Sequence, residues 1–217
     1  KTFVTSRPDN SIFRAVFSNR LYRNRLGEGF AEIRGQQRRE AELRVIADLH
    51  IHSRFSRATS EKMTIGEISR FARMKGLQLV GTGDFTHPKW IGERRQELTE
   101  VPDTNLYKGK AAESNVHYMI TCEVATLFSF KDGVKKIHHV VLTPSFETAA
   151  QINDRLKQYG NLNSDGRPML DMTAPQLVEI VMQISRENVV IPAHAWTPWF
   201  SLFGAFSGFD RMAACYQ

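Results

Sequence analysis

Six of the seven histidines in this 217-residue chain stand beside apolar, strand-like runs. His50 and His52 lie in Val45-Ile46-Ala47-Asp48-Leu49-His50-Ile51-His52. A β-strand sends alternate side chains to opposite faces, so two histidines two positions apart point the same way. Two imidazole nitrogens on one face at a strand end are half of a metal site. The other candidates follow along the chain. Asp84 and His87 sit in Gly81-Thr82-Gly83-Asp84-Phe85-Thr86-His87-Pro88, Glu123 follows the run 116–122, His138 and His139 lie within 135–142, and His194 follows 189–193. Adjacent strand residues face opposite sides, so only one of His138 and His139 joins a cluster easily. His117 opens a run instead of closing one and is set aside. Burying imidazoles with carboxylates is costly unless something offsets their desolvation, and bound divalent cations do so. A mixed nitrogen and oxygen donor set suits zinc, manganese or iron better than calcium, and leaves magnesium open.

The elements that must position these residues alternate. Runs 45–49, 77–80, 116–122 and 189–193 read as strands. Residues 126–130 and 135–142 read as a hairpin closed by Asp132-Gly133. A helix is expected over 63–75, where Thr64 and Glu67 have capping-box spacing, Ile65, Ile68 and Phe71 supply an apolar stripe, and Gly76 stops it. Further helices are expected over 91–98, 147–159 and 173–187, the last tolerating Pro175 in its first turn, with a polar loop over 160–171. Alternation of this kind predicts an α/β fold with a mainly parallel sheet, open or closed into a barrel. In either form the strands' carboxyl ends gather, and the candidate ligands sit at those ends.

Length and composition suit one sizeable soluble domain, or one domain with a tail. No apolar run is long enough to span a bilayer, and no secretory signal is visible. Cys122 and Cys215 have no paired spacing, which predicts two reduced thiols in a cytoplasmic protein. The net charge of +6 is concentrated in residues 1–44, a basic extension with ten basic and five acidic side chains. Such an arm can follow a phosphate backbone or be a solvated extension.

The segments His50-Ile51-His52-Ser53, the Gly-Asp loop at Asp84, Glu123, the His138-His139 strand and Ala193-His194 together resemble the PHP (polymerase and histidinol phosphatase) superfamily, from about Val45 to the C-terminus. The segments 48–57, 81–88 and 192–200 are similar to those of its endonuclease Q branch, DNA-repair enzymes that cut on the 5′ side of deaminated bases and abasic sites. This resemblance implies a PHP-type distorted (β/α)7 barrel over 45–217 carrying two or three divalent metal ions. It implies that His50 and His52 hold one metal, that Glu123 bridges two, and that His139 and His194 complete the coordination. His139 is preferred because apolar strand residues follow it directly, as in the family. Many members place Asp-His together in the second motif, whereas here Phe85 follows Asp84 and His87 comes later, so either can be the ligand. The family's last motif, Asp-x-His, is expected beyond Gln217 or from a partner domain or chain.

The chemistry expected is hydrolysis of a phosphoester by metal-activated water, with Glu123 and Asp84 as the candidate catalytic carboxylates. Ser53, Ser56 and Ser201 lack a nucleophile-elbow context. Arg57 can grip a phosphate or form a surface ion pair. Trp196 and Trp199 can stack on a base of the DNA partner, with Phe200, Phe203, Phe206 and Phe209 more readily core. The leading reading is a DNA endonuclease acting beside uracil, hypoxanthine, xanthine or abasic sites. Its rivals are a phosphatase of small phosphate monoesters and a non-catalytic PHP domain.

Overall fold

The computed structural model describes residues 2–5, 43–110, 115–131 and 133–216. Most of the basic extension, and Asp132 of the hairpin turn, lie outside the described residues. The strands are β1 (Thr2–Thr5), β2 (Leu43–Asp48), β3 (Leu79–Gly81), β4 (Leu98–Val101), β5 (Leu106–Gly109), β6 (His117–Phe130), β7 (Gly133–Thr143), β8 (Met169–Asp171) and β9 (Val189–Pro192). The helices are α1 (Ile65–Met74), α2 (Pro88–Glu97), α3 (Phe146–Leu156), α4 (Ala174–Ile184) and α5 (Met212–Tyr216).

Local chemistry accounts for the helix ends. Thr64 caps α1 by accepting from the Glu67 backbone N–H, and Gly76 follows its C-cap at φ 70°. Thr173 and Gln176 form a reciprocal capping box on α4. Ser145 caps α3. Helix α2 starts three residues earlier than the sequence predicts because Pro88, with its preset φ and no N–H to leave unpaired, takes the first helical turn. On α1 the buried face is Ile65, Ile68, Ser69 and Ala72, while Phe71, expected in the stripe, is exposed beneath the Arg70 guanidinium.

The sheet is mixed, not mainly parallel. Strands β2, β3 and β6 are parallel neighbours, joined by crossovers through α1 and α2. Strand β6 then pairs antiparallel with β7, and β7 antiparallel with β9. The expected strands 116–122 and 126–130 are one 14-residue strand, with no Gly or Pro to interrupt it, paired with β7 along most of its length. An antiparallel β4–β5 hairpin on the edge of β6 was not predicted. Short β8 falls inside the segment read as loop.

Two cores lie on opposite faces of the sheet. One joins α1, α3 and α4 to strand residues such as Val80, Tyr118, Ile120, Cys122 and Val141. The other contains no helix residue: Val45, Leu79, Met119, Val140 and Leu142 meet directly, with Leu106 and Ala193. Side chains from β2, β3, β6 and β7 can share one cluster only if the sheet curls around it. Among the described residues β9 and β2 do not pair, so the curled sheet stays open. No helix among them is long and apolar enough to cross a membrane.

Candidate metal centre

Curling brings the carboxyl ends of β2 and β9 over the middle of β6. Glu123 is the meeting point, and only 2% of it is exposed. Its Oε1 lies 3.1 Å from His50 Nε2, 3.2 Å from His138 Nδ1 and 3.2 Å from His194 Nε2. Its Oε2 lies 3.4 Å from His52 Nε2. The His50 and His194 rings face each other at 6.0 Å, although 144 positions separate them in sequence. Burial alone would raise the Glu123 pKa. Hydrogen bonds from His138, His50 and His52 outweigh that and hold the carboxyl well below the usual carboxylate range. Burial would likewise lower His52, but hydrogen bonds to Asp84 and Glu123 raise it to about 9.

Two overlapping groups can hold a metal ion: His50, His52 and Glu123, and Glu123, His138 and His194. Within each, one ligand atom per residue lies within 4.8 Å of the others. Four imidazoles aimed at one buried carboxylate are a donor set that fits divalent cations, because a cation offsets the desolvation of all five groups at once.

The backbone is adapted to this arrangement. His194 follows β9 in the left-handed region at φ 29°, sparsely populated for a histidine. Its Nδ1 pairs with Thr197 Oγ1 at 3.0 Å, turning Nε2 toward Glu123. Gly83, at φ 66°, passes so close to the Ile51 carbonyl that a Cβ would overlap it. Asp84 also has positive φ, 49°, which an aspartate tolerates better than most residues. Its buried carboxylate pairs through Oδ1 with His52 Nδ1 at 3.0 Å.

The structure changes one expected ligand. His138, not His139, faces Glu123. In the β6–β7 register Glu123 opposes Val140 and Ala125 opposes His138, so these four share one face, while His139 opposes Val124 on the other. His139 is fully buried, with Nε2 3.0 Å from the Tyr216 hydroxyl and Nδ1 unpartnered. Burial pushes it down from 6.5 to about 4. The folded protein therefore resists protonation there while the unfolded chain does not. The resulting destabilisation is absent above pH 6.5, grows as pH falls and is complete below about 4, where it reaches about 3 kcal/mol. Urea unfolding of metal-free protein at pH 7 and 4.5 is expected to show His139→Gln losing most of this pH dependence. Equal slopes in variant and wild type would refute it.

His87 also lies outside the two groups: buried, it stands at the N-cap position of α2 without a side-chain capping bond and stacks on Phe55 at 4.3 Å. Arg57 is exposed, its Nε 3.6 Å from Asp165 Oδ2. Trp196 and Trp199 are exposed, as is Phe206, which stacks on Trp199 at 4.5 Å. Phe209 is core, as expected, in a third cluster with Ile137, Ala174, Leu202 and Cys215, and Phe203 packs against it. Phe200 lies 4.7 Å from the His138 ring, a neighbour the sequence did not reveal. An open recess of about 450 Å³ is lined by Pro192, His194, Ala195, Trp196 and Thr197.

No family model matches the chain. Over 166 residues it is 32% identical to an uncharacterized protein of Methanocaldococcus jannaschii, covering 76% of this chain and 18% of that one. Its structure is similar to the lesion-specific endonuclease PfuEndoQ from Pyrococcus furiosus, with TM-score 0.67, 32% identity, and coverage of 79% of this chain and 39% of that one. The fold is endonuclease Q-like. A second such structure, endonuclease Q in complex with a 27-mer duplex substrate with an abasic lesion at the active site, gives TM-score 0.67, 33% identity, and 78% and 39% coverage. The chain thus spans about a fifth of the M. jannaschii protein and well under half of each endonuclease Q chain.

Proposed function

We propose that residues 45–217 act as a PHP-type metal-dependent phosphodiesterase domain on DNA, cutting on the 5′ side of deaminated bases or abasic sites. The convergence of four histidines from three chain segments on buried Glu123 carries this reading. Similarity to a lesion-specific endonuclease, at more than 30% identity, supports DNA as the substrate class. Bound divalent cations would supply an acidified water and positive charge at the phosphoryl oxygens. Glu123 would be shared between two of them, with His50 and His52 on one side and His138 and His194 on the other. Asp84 orients His52. Arg57, exposed beside Asp165, would offer its guanidinium to a phosphate of the bound strand. Trp196 walls the recess beside His194, and Trp199 lies exposed in the same loop, so both can offer a ring face to an unstacked base.

The test is a strand-cleavage assay on duplexes holding a single uracil, hypoxanthine or abasic site, beside undamaged duplex and p-nitrophenyl phosphate. A nick 5′ to the lesion that needs manganese or zinc and vanishes with a chelator is expected. Turnover of the small ester alone would make the protein a monoester phosphatase. Neither activity, with no metal retained, would leave a non-catalytic domain.

A further inference from the structure

We infer that Asp84, with Ser53, Ser56 and Gly166, is a positioning clamp that sets how tightly the centre holds its cation while contributing no ligand atom. The inference rests on the metal-binding reading. Asp84 is fully buried, and its oxygens are already engaged. Oδ2 accepts from the Ser53 backbone N–H at 2.6 Å, the Ser53 hydroxyl at 2.6 Å and the Ser56 hydroxyl at 2.8 Å. Oδ1 faces His52 Nδ1 at 3.0 Å. An ionised carboxylate only accepts, so this contact keeps a proton on Nδ1, and it is Nε2, beside Glu123, that would give up its proton to hold a metal. A cation drawn to Oδ2 would have to displace three donors.

Gly166 closes the clamp from a distant part of the sequence. Its backbone lies against the Asp84 carboxylate and the Ser56 hydroxyl, and a Cβ there would collide with both. Its N–H donates to the Phe55 carbonyl at 3.1 Å, and its carbonyl accepts from the Thr86 hydroxyl at 3.3 Å. Three segments, around residues 53–56, 84–87 and 166, therefore hold one another and the orientation of His52. Partners that orient a ligating histidine are typically worth 10–100-fold in metal affinity.

Cobalt(II) titration of the metal-free full chain, followed by calorimetry and visible absorption, tests this with Asp84→Asn, Ser56→Ala, Ser56→Thr and Gly166→Ala. The expected result is affinity weakened about 10–100-fold in Asp84→Asn, Ser56→Ala and Gly166→Ala, with recovery in Ser56→Thr. The number of ions bound at saturation and the absorption envelope should stay as in wild type. If Gly166→Ala does not fold, the Ser56 pair decides the matter. Loss of an ion or a changed envelope in Asp84→Asn would make Asp84 a ligand and overturn the inference. So would wild-type affinity in Ser56→Ala and Gly166→Ala, whatever their melting temperatures. A wild type that takes up no cobalt would overturn the metal reading, and this inference with it.

Discussion

Replacing Glu123 by Gln is expected to cut the proposed lesion cleavage by roughly 10²–10³-fold, the scale of losing one preorganised electrostatic contact at a reacting centre. The size follows from position. Glu123 belongs to both potential metal groups, so one substitution weakens both. The amide keeps the shape and the β6 backbone pairing but loses the charge that four imidazoles surround, and half of its oxygen acceptors become donors. Metal analysis should therefore show depleted cation alongside the lost activity, while the far-ultraviolet spectrum is unchanged. His117→Ala, at the start of β6 and outside both groups, is the control and should keep its metal. Wild-type metal content in Glu123→Gln would remove the shared-ligand role on which the proposed function depends.

The largest stability loss is expected at Trp90, roughly 4 kcal/mol on replacement by Ala. Trp90 is fully buried on α2, where its indole N–H donates to the Gly83 carbonyl at 2.8 Å. The guanidinium of buried Arg94 lies 3.7 Å from its ring centroid, so the ring packs against a charge already removed from water. Truncation opens a cavity, leaves the Gly83 carbonyl without this donor and strips Arg94 of its ring contact. Trp90→Phe keeps most of the volume and should lose only about 1–3 kcal/mol, the usual cost of an unpaired buried group. Urea denaturation of both variants separates volume from hydrogen bond. A loss below about 1 kcal/mol for Trp90→Ala would contradict this account. Because Gly83 directly precedes Asp84, the same variant should also hold metal less tightly.

Much of this architecture is legible in local chemistry. Capping at Thr64 and Thr173 marks helix starts because those hydroxyls answer nearby backbone donors. The spacing of His50 and His52 suggests a common direction, and both do reach Glu123, although β2 ends at Asp48 and neither histidine lies within the strand. The Asp132-Gly133 turn signal locates the β6–β7 hairpin because a tight reversal needs a residue such as Gly133, at φ 135°. The choice between His138 and His139 is different in kind. Either face of β7 could meet Glu123 on local grounds, and the register with β6 settles it. A run of apolar residues after His139 carries no information about that register.

What the sequence determined by itself is the set of chemical groups and the strand ends that carry them, since side-chain type and short-range periodicity are properties of neighbouring residues. The tertiary structure decided which of those groups meet. Curling of a mixed, open sheet brings His50 beside His194, the β6–β7 register turns His138 inward and buries His139, and the approach of Gly166 closes the Asp84 clamp. Each is a contact between residues far apart in the chain, set by which faces can be buried together, and no local pattern encodes it.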